Sequence, residues 1–171
     1  MTNIGAVLGD VEIRALCKND PPLISDFLNF ESQLQSTGFD ITVKRITRLH
    51  GTAALGEGKH SRVAAEQAVE PAEGKYLLTP GAYLVYINEY TAIPNDIMGL
   101  VFARSTLFRS GGMLETGIWD GGFRGRGMLG LYVMGVETLY VDVQAPIAQI
   151  TFFRTGQVER GFQFNEYWRE T

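Results

Sequence analysis

The chain reads as an all-β protein, built as a sandwich, jelly roll or distorted barrel. Three observations point there. Short apolar runs with period-two alternation recur along the chain, and Pro and Gly pairs separate them. Twenty glycines in 171 residues also exceed the usual ~7% and suit many tight turns.

One clear helix signal precedes the strands. Asp10 stands as an N-cap before Val11, Ile13, Leu16 and Cys17 at helical spacing, and Pro21-Pro22 stops the run. Residues 23–34 fit a second helix or an extended wrap, so residues 1–36 are expected to form an N-terminal helical segment. From Phe39 the period changes: Phe39, Ile41 and Val43 alternate with Asp40, Thr42 and Lys44, as in a half-buried strand. The same pattern predicts strands at residues 76–78, 82–87, 97–103, 127–133, 138–143 and 147–153. Breakers stand at Pro80-Gly81, Pro94-Asn95, Gly111-Gly112, Gly121-Gly122 and Pro146. Residues 51–75 have no strong period and few large apolar side chains, which predicts a long loop, and residues 157–171 read as a C-terminal tail. With no internal repeat and a length suited to one core, residues 1–171 are expected to form a single domain.

Composition excludes several functions. The net charge is −4, with 15 basic and 19 acidic residues mixed along the chain, so neither nucleic acid nor a membrane is an expected partner. The single cysteine, Cys17, excludes a disulfide framework and a thiolate zinc site and is expected to be a buried, inert thiol. No apolar run approaches the ~20 residues that span a bilayer. No signal-like N-terminus is visible either, and a cytoplasmic location is expected. His50 and His60 lie outside any metal-ligand or triad context and are expected to be solvated. Walker A and GxSxG patterns are missing. What remains is carboxylate, serine, arginine, glutamine and backbone amides, the toolkit of metal-assisted phosphate chemistry or of a simple binding module.

Four segments place polar residues where an apolar strand would not want them: Thr37–Thr42, Ala103–Arg109, Gly117–Gly125 and Pro146–Ile150. Asp40 reads either as a solvated face residue or as a functional carboxylate, and Arg104 either as a buried ion pair or as a ligand. Ser105 can donate to a phosphate oxygen and Arg109 can clamp one bidentately. Gly121-Gly122 permits a tight hairpin, and Asp120 precedes that turn, where an aspartate also bonds nearby amides. Gln149, mid-strand, is costly unless paired.

Taken in order, these segments resemble the motifs of the dUTPase and dCTP deaminase family. TGFDI is similar to AGxDL, RSTLFR to RSG and RSSLAR, GIWDGGFRG to GVIDxxYRG, and PIAQI to RIAQL. The resemblance covers most of the chain and implies a distorted jelly-roll or β-clip barrel, assembled as a homotrimer, that hydrolyses dUTP to dUMP and diphosphate with Mg²⁺. It implies Asp120 as the catalytic base and Arg104, Ser105, Arg109 and Gln149 on the phosphates. Gly117, Ile118 and Phe123 would bind the nucleoside, and Asp40 would hold the metal through water. Trp119, Gly122 and Phe123 depart from the commoner residues of the third motif, and the family's glycine-rich tail is not recognisable at residues 159–165, so Arg160, Phe162 and Arg169 are expected to form a different lid.

Deaminases of the family place a glutamate where this chain has Gly130, and no carboxylate lies two residues away on that strand face. Hydrolysis is therefore expected, with dCTP deamination, alone or beside dUTP hydrolysis, as the alternative. An alternative from another class is a non-catalytic deoxynucleotide-binding regulatory module.

Overall fold

The computed structural model describes residues 5–56, 62–156, 158–159 and 161–162. His60, Arg160 and Arg169, assigned above, lie outside them. The elements begin with α1 (Asp10–Leu16), β1 (Ile24–Ser25), α2 (Phe30–Gln33) and β2 (Leu34–Gln35). Strands β3 (Gly38–His50), β4 (Ala65–Ala68), β5 (Lys75–Leu78), β6 (Gly81–Ile87), β7 (Tyr90–Ala92) and β8 (Ile97–Ala103) follow. After α3 (Ser105–Arg109) come β9 (Gly112–Glu115), β10 (Arg124–Gly125), β11 (Met128–Val133), β12 (Leu139–Asp142) and β13 (Pro146–Arg154).

The fold is mostly β. The main sheet runs β8-β13-β3-β6-β11-β9, with β2 and β4 also paired to β3; small sheets β1-β7-β10 and β12-β5 flank it. The sheet nearly closes into a barrel. Trp119, just past β9, exchanges backbone hydrogen bonds of 3.0 and 2.8 Å with Gly99 of β8, and the Thr116 hydroxyl donates to the Val101 carbonyl at 3.1 Å. Phe39, Ile41, Val85, Leu129, Ile150 and Phe152 fill the interior. No helix among the described residues is long and apolar enough to cross a membrane.

Several expectations need correction. The N-cap of α1 is Gly9, one residue earlier than Asp10, because Glu12 reaches back to accept the Gly9 N–H at 3.3 Å. Val11 is 76% exposed and lies off the apolar face that Ile13 anchors. Cys17 is only partly buried, and burial pushes its thiol pKa up. Residues 23–34 are both extended and helical: β1 pairs with β7, and α2 starts where the Asn29 side chain accepts the Ser32 N–H at 3.0 Å. Within 51–75, Ala65–Ala68 forms a strand against residues 47–50 of β3. All four of its residues are exposed, which leaves no alternation to read; beside the backbone ladder, the Glu66 carboxylate accepts the hydroxyls of Thr47 at 2.6 Å and Tyr86 at 2.8 Å.

The half-burial expected for β3 fails at its start, where residues 38–43 are all buried. Phe39 packs into an aromatic cluster with Phe27 and Phe30 at ring distances of 5.9 and 5.6 Å. Asp40 and Thr42, on the opposite face, lie beneath α2 and the β6–β7 turn, where Gln33 and Glu89 bond to that stretch of strand. Both faces of this segment are therefore covered.

Candidate functional site

Pairing of β13 with both β3 and β8 brings three of the four polar segments to one end of the sheet. Gln149 lies opposite Asp40 on one side and Phe102 on the other, and Arg104 follows directly from β8. Asp40, Arg104, Ser105 and Gln149 line one cleft of about 260 Å³ with Gln35 and Thr106. Gly38 allows Gln149 to lie there: a Cβ at Gly38 would stand 2.5 Å from the Ile150 carbonyl oxygen and 3.0 Å from the Gln149 amide nitrogen.

Arg104 donates to the Asp40 carboxylate, and the Gln35 amide donates to the same oxygen at 3.3 Å. The Asp40 side chain is 7% exposed and that of Arg104 36%. Asp40 is thus not a solvated face residue, and Arg104 is an ion-pair partner before it is anything else. Burial raises the Asp40 pKa above the ordinary carboxylate value, and the charge and hydrogen bond of Arg104 pull against that rise. Ser105 and Arg109 stand four residues apart on α3, on one face, and both are exposed. Arg104 and Asp40 also border a second cleft of about 300 Å³, floored by Gln33 and Thr42.

Asp120 and its neighbours form a separate feature. The Phe123 N–H donates to the Asp120 carbonyl at 3.1 Å, and Gly122 has φ +88° while Gly121 does not enter the left-handed region, which is a type II turn. It is not the tip of a simple hairpin. Its arms diverge, Trp119 pairing with Gly99 and Arg124-Gly125 with Ala92-Thr91. That divergence leaves Gly117 and Ile118 exposed, with no backbone partner among the described residues. The Asp120 side chain is also exposed and makes no hydrogen bond or ion pair among them, so it is not the amide-bonded turn aspartate.

Phe123 is 5% exposed. Its ring packs against Trp119 at 5.5 Å and edge-on against Phe162 at 5.3 Å, and the Phe162 N–H donates to the Gly121 carbonyl at 2.9 Å. Phe162 therefore covers the aromatic residue expected to bind the nucleoside. Trp119 fits because Gly127 lacks a side chain: a Cβ there would lie 2.0 Å from the indole.

The two features sit at opposite ends of β8. Trp119 pairs at Gly99 and Arg104 is five residues further, so they are separated by roughly 16 Å at ~3.3 Å per residue.

A family model described as dCTP deaminase-like matches residues 7–155. The chain belongs to the dCTP deaminase-like family. A probable deoxyuridine 5'-triphosphate nucleotidohydrolase of Archaeoglobus fulgidus is 33% identical over 159 residues, 92% of this chain and 94% of that one. A protein of the same name from Methanosarcina mazei is 32% identical over 160 residues, 92% of this chain and 94% of its own. Among solved structures, 2'-deoxycytidine 5'-triphosphate deaminase from Agrobacterium tumefaciens superposes with a TM-score of 0.70 at 20% identity, over 90% of this chain and 49% of that chain. A mutant dUTPase from phage phi11 of S. aureus gives 0.50 at 13%, over 84% and 97%. At such identities these two likenesses speak for the fold.

Within this dCTP deaminase-like chain, the register at Gly130 reveals a residue that sequence reading missed. Gly130 of β11 lies directly opposite Glu115 of β9, and a Cβ at Gly130 would touch the Glu115 Cβ at 3.3 Å. A carboxylate thus projects from the same sheet face one strand away, although none lies two residues along. Only the pairing register could have shown it.

Proposed function

We propose that the protein hydrolyses dUTP to dUMP and diphosphate with Mg²⁺, as a homotrimer. The observation that carries this reading is Asp120: an exposed carboxylate beside a glycine turn, with no hydrogen-bond or ion-pair partner among the described residues, whose neighbours Gly117 and Ile118 present backbone amides and carbonyls that have no backbone partner among them. A base with that freedom can hold a water and take its proton, while the backbone groups read uracil. Ser105, Arg109 and Gln149 hold phosphate oxygens at the other feature. The naming of relatives such as that of Archaeoglobus fulgidus, which match nearly end to end, supports the same substrate.

The cleft residues fit a hard cation held mostly by substrate and water. Among the described residues no group of three or more His, Cys, Asp or Glu converges. Asp40, largely buried and paired with Arg104, suits contact through a water. When bound, the cation neutralises phosphate charge for in-line displacement. Asp40 then orients the water shell, and Arg104 holds Asp40 in place.

A second copy completes the site in this reading. The roughly 16 Å between the turn and the cleft leaves each without the other in one chain. The outer face of β8 beside the cleft carries Met98 and Leu100 half-buried and Phe102 55% exposed, an apolar strip suited to a neighbouring chain.

A second reading, dCTP deamination, has one observation in its favour, the Glu115 carboxylate opposite Gly130. Incubation with Mg²⁺ and, separately, dUTP and dCTP tests both. Diphosphate from dUTP without ammonia from dCTP is expected. Ammonia from dCTP, lost on Glu115→Gln, would move the assignment to deamination, and no product from either would favour a non-catalytic binding module.

A further inference from the structure

Glu89, in the turn between β6 and β7, is 1% exposed and has no part in the chemistry above. Burial pushes its carboxyl above the ordinary range, against hydrogen bonds from Thr42 and Gln33 that pull it down. A carboxylate there needs an explanation, because an apolar residue would fill the space without that penalty.

Its partners supply one. One Glu89 oxygen accepts the Thr42 N–H at 3.0 Å. The other accepts the Thr42 hydroxyl at 2.6 Å and the Gln33 amide at 2.7 Å. The same Gln33 nitrogen donates to the Asp40 carbonyl at 2.9 Å. Gln33 is fixed in turn, its oxygen accepting the N–H groups of Leu28 and Asn29 at 2.8 and 2.9 Å. The Thr42 hydroxyl accepts from the Asn88 amide at 3.0 Å, which directs its own proton to Glu89. Three donors converge on two oxygens, and of the side chains that fit only a carboxylate is acceptor-only.

Asp40 and Thr42 share a strand face and line the same cleft. Glu89 therefore grips β3 at Thr42 directly and at Asp40 through Gln33. We propose that Glu89 is a positioning residue, locking the β3 backbone around Asp40 so that its carboxylate meets Arg104 at the mouth of the phosphate cleft. This rests on the reading of Asp40 as the residue that orients the cation's water shell.

The test is Glu89→Gln in the full chain, alone and combined with Asp40→Asn. The glutamine keeps the shape and turns one acceptor into a donor facing a donor. Circular dichroism and melting temperature report the fold. Calorimetry with Mg²⁺ and a non-hydrolysable dUTP analogue reports binding, and diphosphate release reports turnover. Glu89→Gln should stay folded and lose about 10- to 100-fold in binding and in kcat/KM, as outer partners of a metal site do. It should add nothing in the Asp40→Asn background. A lowered melting temperature with binding and turnover unchanged, or losses that add to those of Asp40→Asn, would overturn the proposal. If Glu89→Gln does not fold, Thr42→Val is measured the same way: a loss absent from the Asp40→Asn background supports the positioning role, and parent-like binding overturns it. If Asp40→Asn itself binds and turns over like the parent, the reading of Asp40 fails first. A loss at Asp40 without one at Glu89 overturns the positioning role alone.

Discussion

Arg104 and Asp40, 64 positions apart in the chain, form an ion pair in which the arginine is about one-third exposed and the aspartate almost buried. The carboxylate is held by a cation of its own chain.

That pairing predicts a pH effect. Burial holds the Asp40 pKa above the ordinary carboxylate value while Arg104 lowers it, so Arg104→Met should raise it further. If activity needs the ionised form, the acid limb of log kcat/KM then moves to higher pH. An unmoved limb would contradict the role of Asp40. For stability, a raised folded-state pKa means that the folded chain holds the proton more tightly than the unfolded one. What Asp40 contributes to stability therefore declines as pH rises from the unfolded value through the raised one.

Gly127 and Trp119 should be coupled. Gly127→Ala puts a methyl into the indole and should cost about 1–3 kcal/mol by overpacking. In a Trp119→Ile background the cost should fall below about 1 kcal/mol. Denaturant melts of the two single variants and the double variant measure this, and equal costs in both backgrounds would refute the packing account.

Phe123 should set sugar preference, and its burial constrains the test. Truncation to alanine should cost about 3–5 kcal/mol, because the ring is wedged between Trp119 and Phe162. Phe123→Leu is the cleaner variant. It should stay folded and narrow the ratio of dUTP to UTP turnover, and a ratio equal to the parent's would remove Phe123 from the site.

Assembly should depend on the strip beside the cleft. Phe102→Glu should leave the chain folded, shift light scattering from three times the monomer mass to one, and abolish diphosphate release. A monomeric variant with full activity would show that one chain holds a whole site.

The longer strands were legible because their residues alternate over a half-buried surface, as at 97–103 and 128–133. Ala65–Ala68 has no buried face and Arg124-Gly125 is too short to alternate, so neither carries such a signal, and α3 spans too few residues to show a period. The site was legible as residue types and motifs. Its arrangement was not, since the Asp40 pairing with Arg104, the cover of Phe162 over Phe123 and the facing of Glu115 and Gly130 are contacts between distant positions or across strands. Of the two readings open for Arg104, the ion pair is the one seen, with Asp40, and Phe123 is a buried ring.

Asp120 should act as the base. Asp120→Asn keeps the size and the turn and removes the proton acceptor, so the decisive measurement is diphosphate release from dUTP with Mg²⁺ beside calorimetric affinity for a non-hydrolysable analogue. Turnover should fall by about 10²–10⁴-fold with affinity nearly unchanged. A variant that keeps most of its turnover would contradict it.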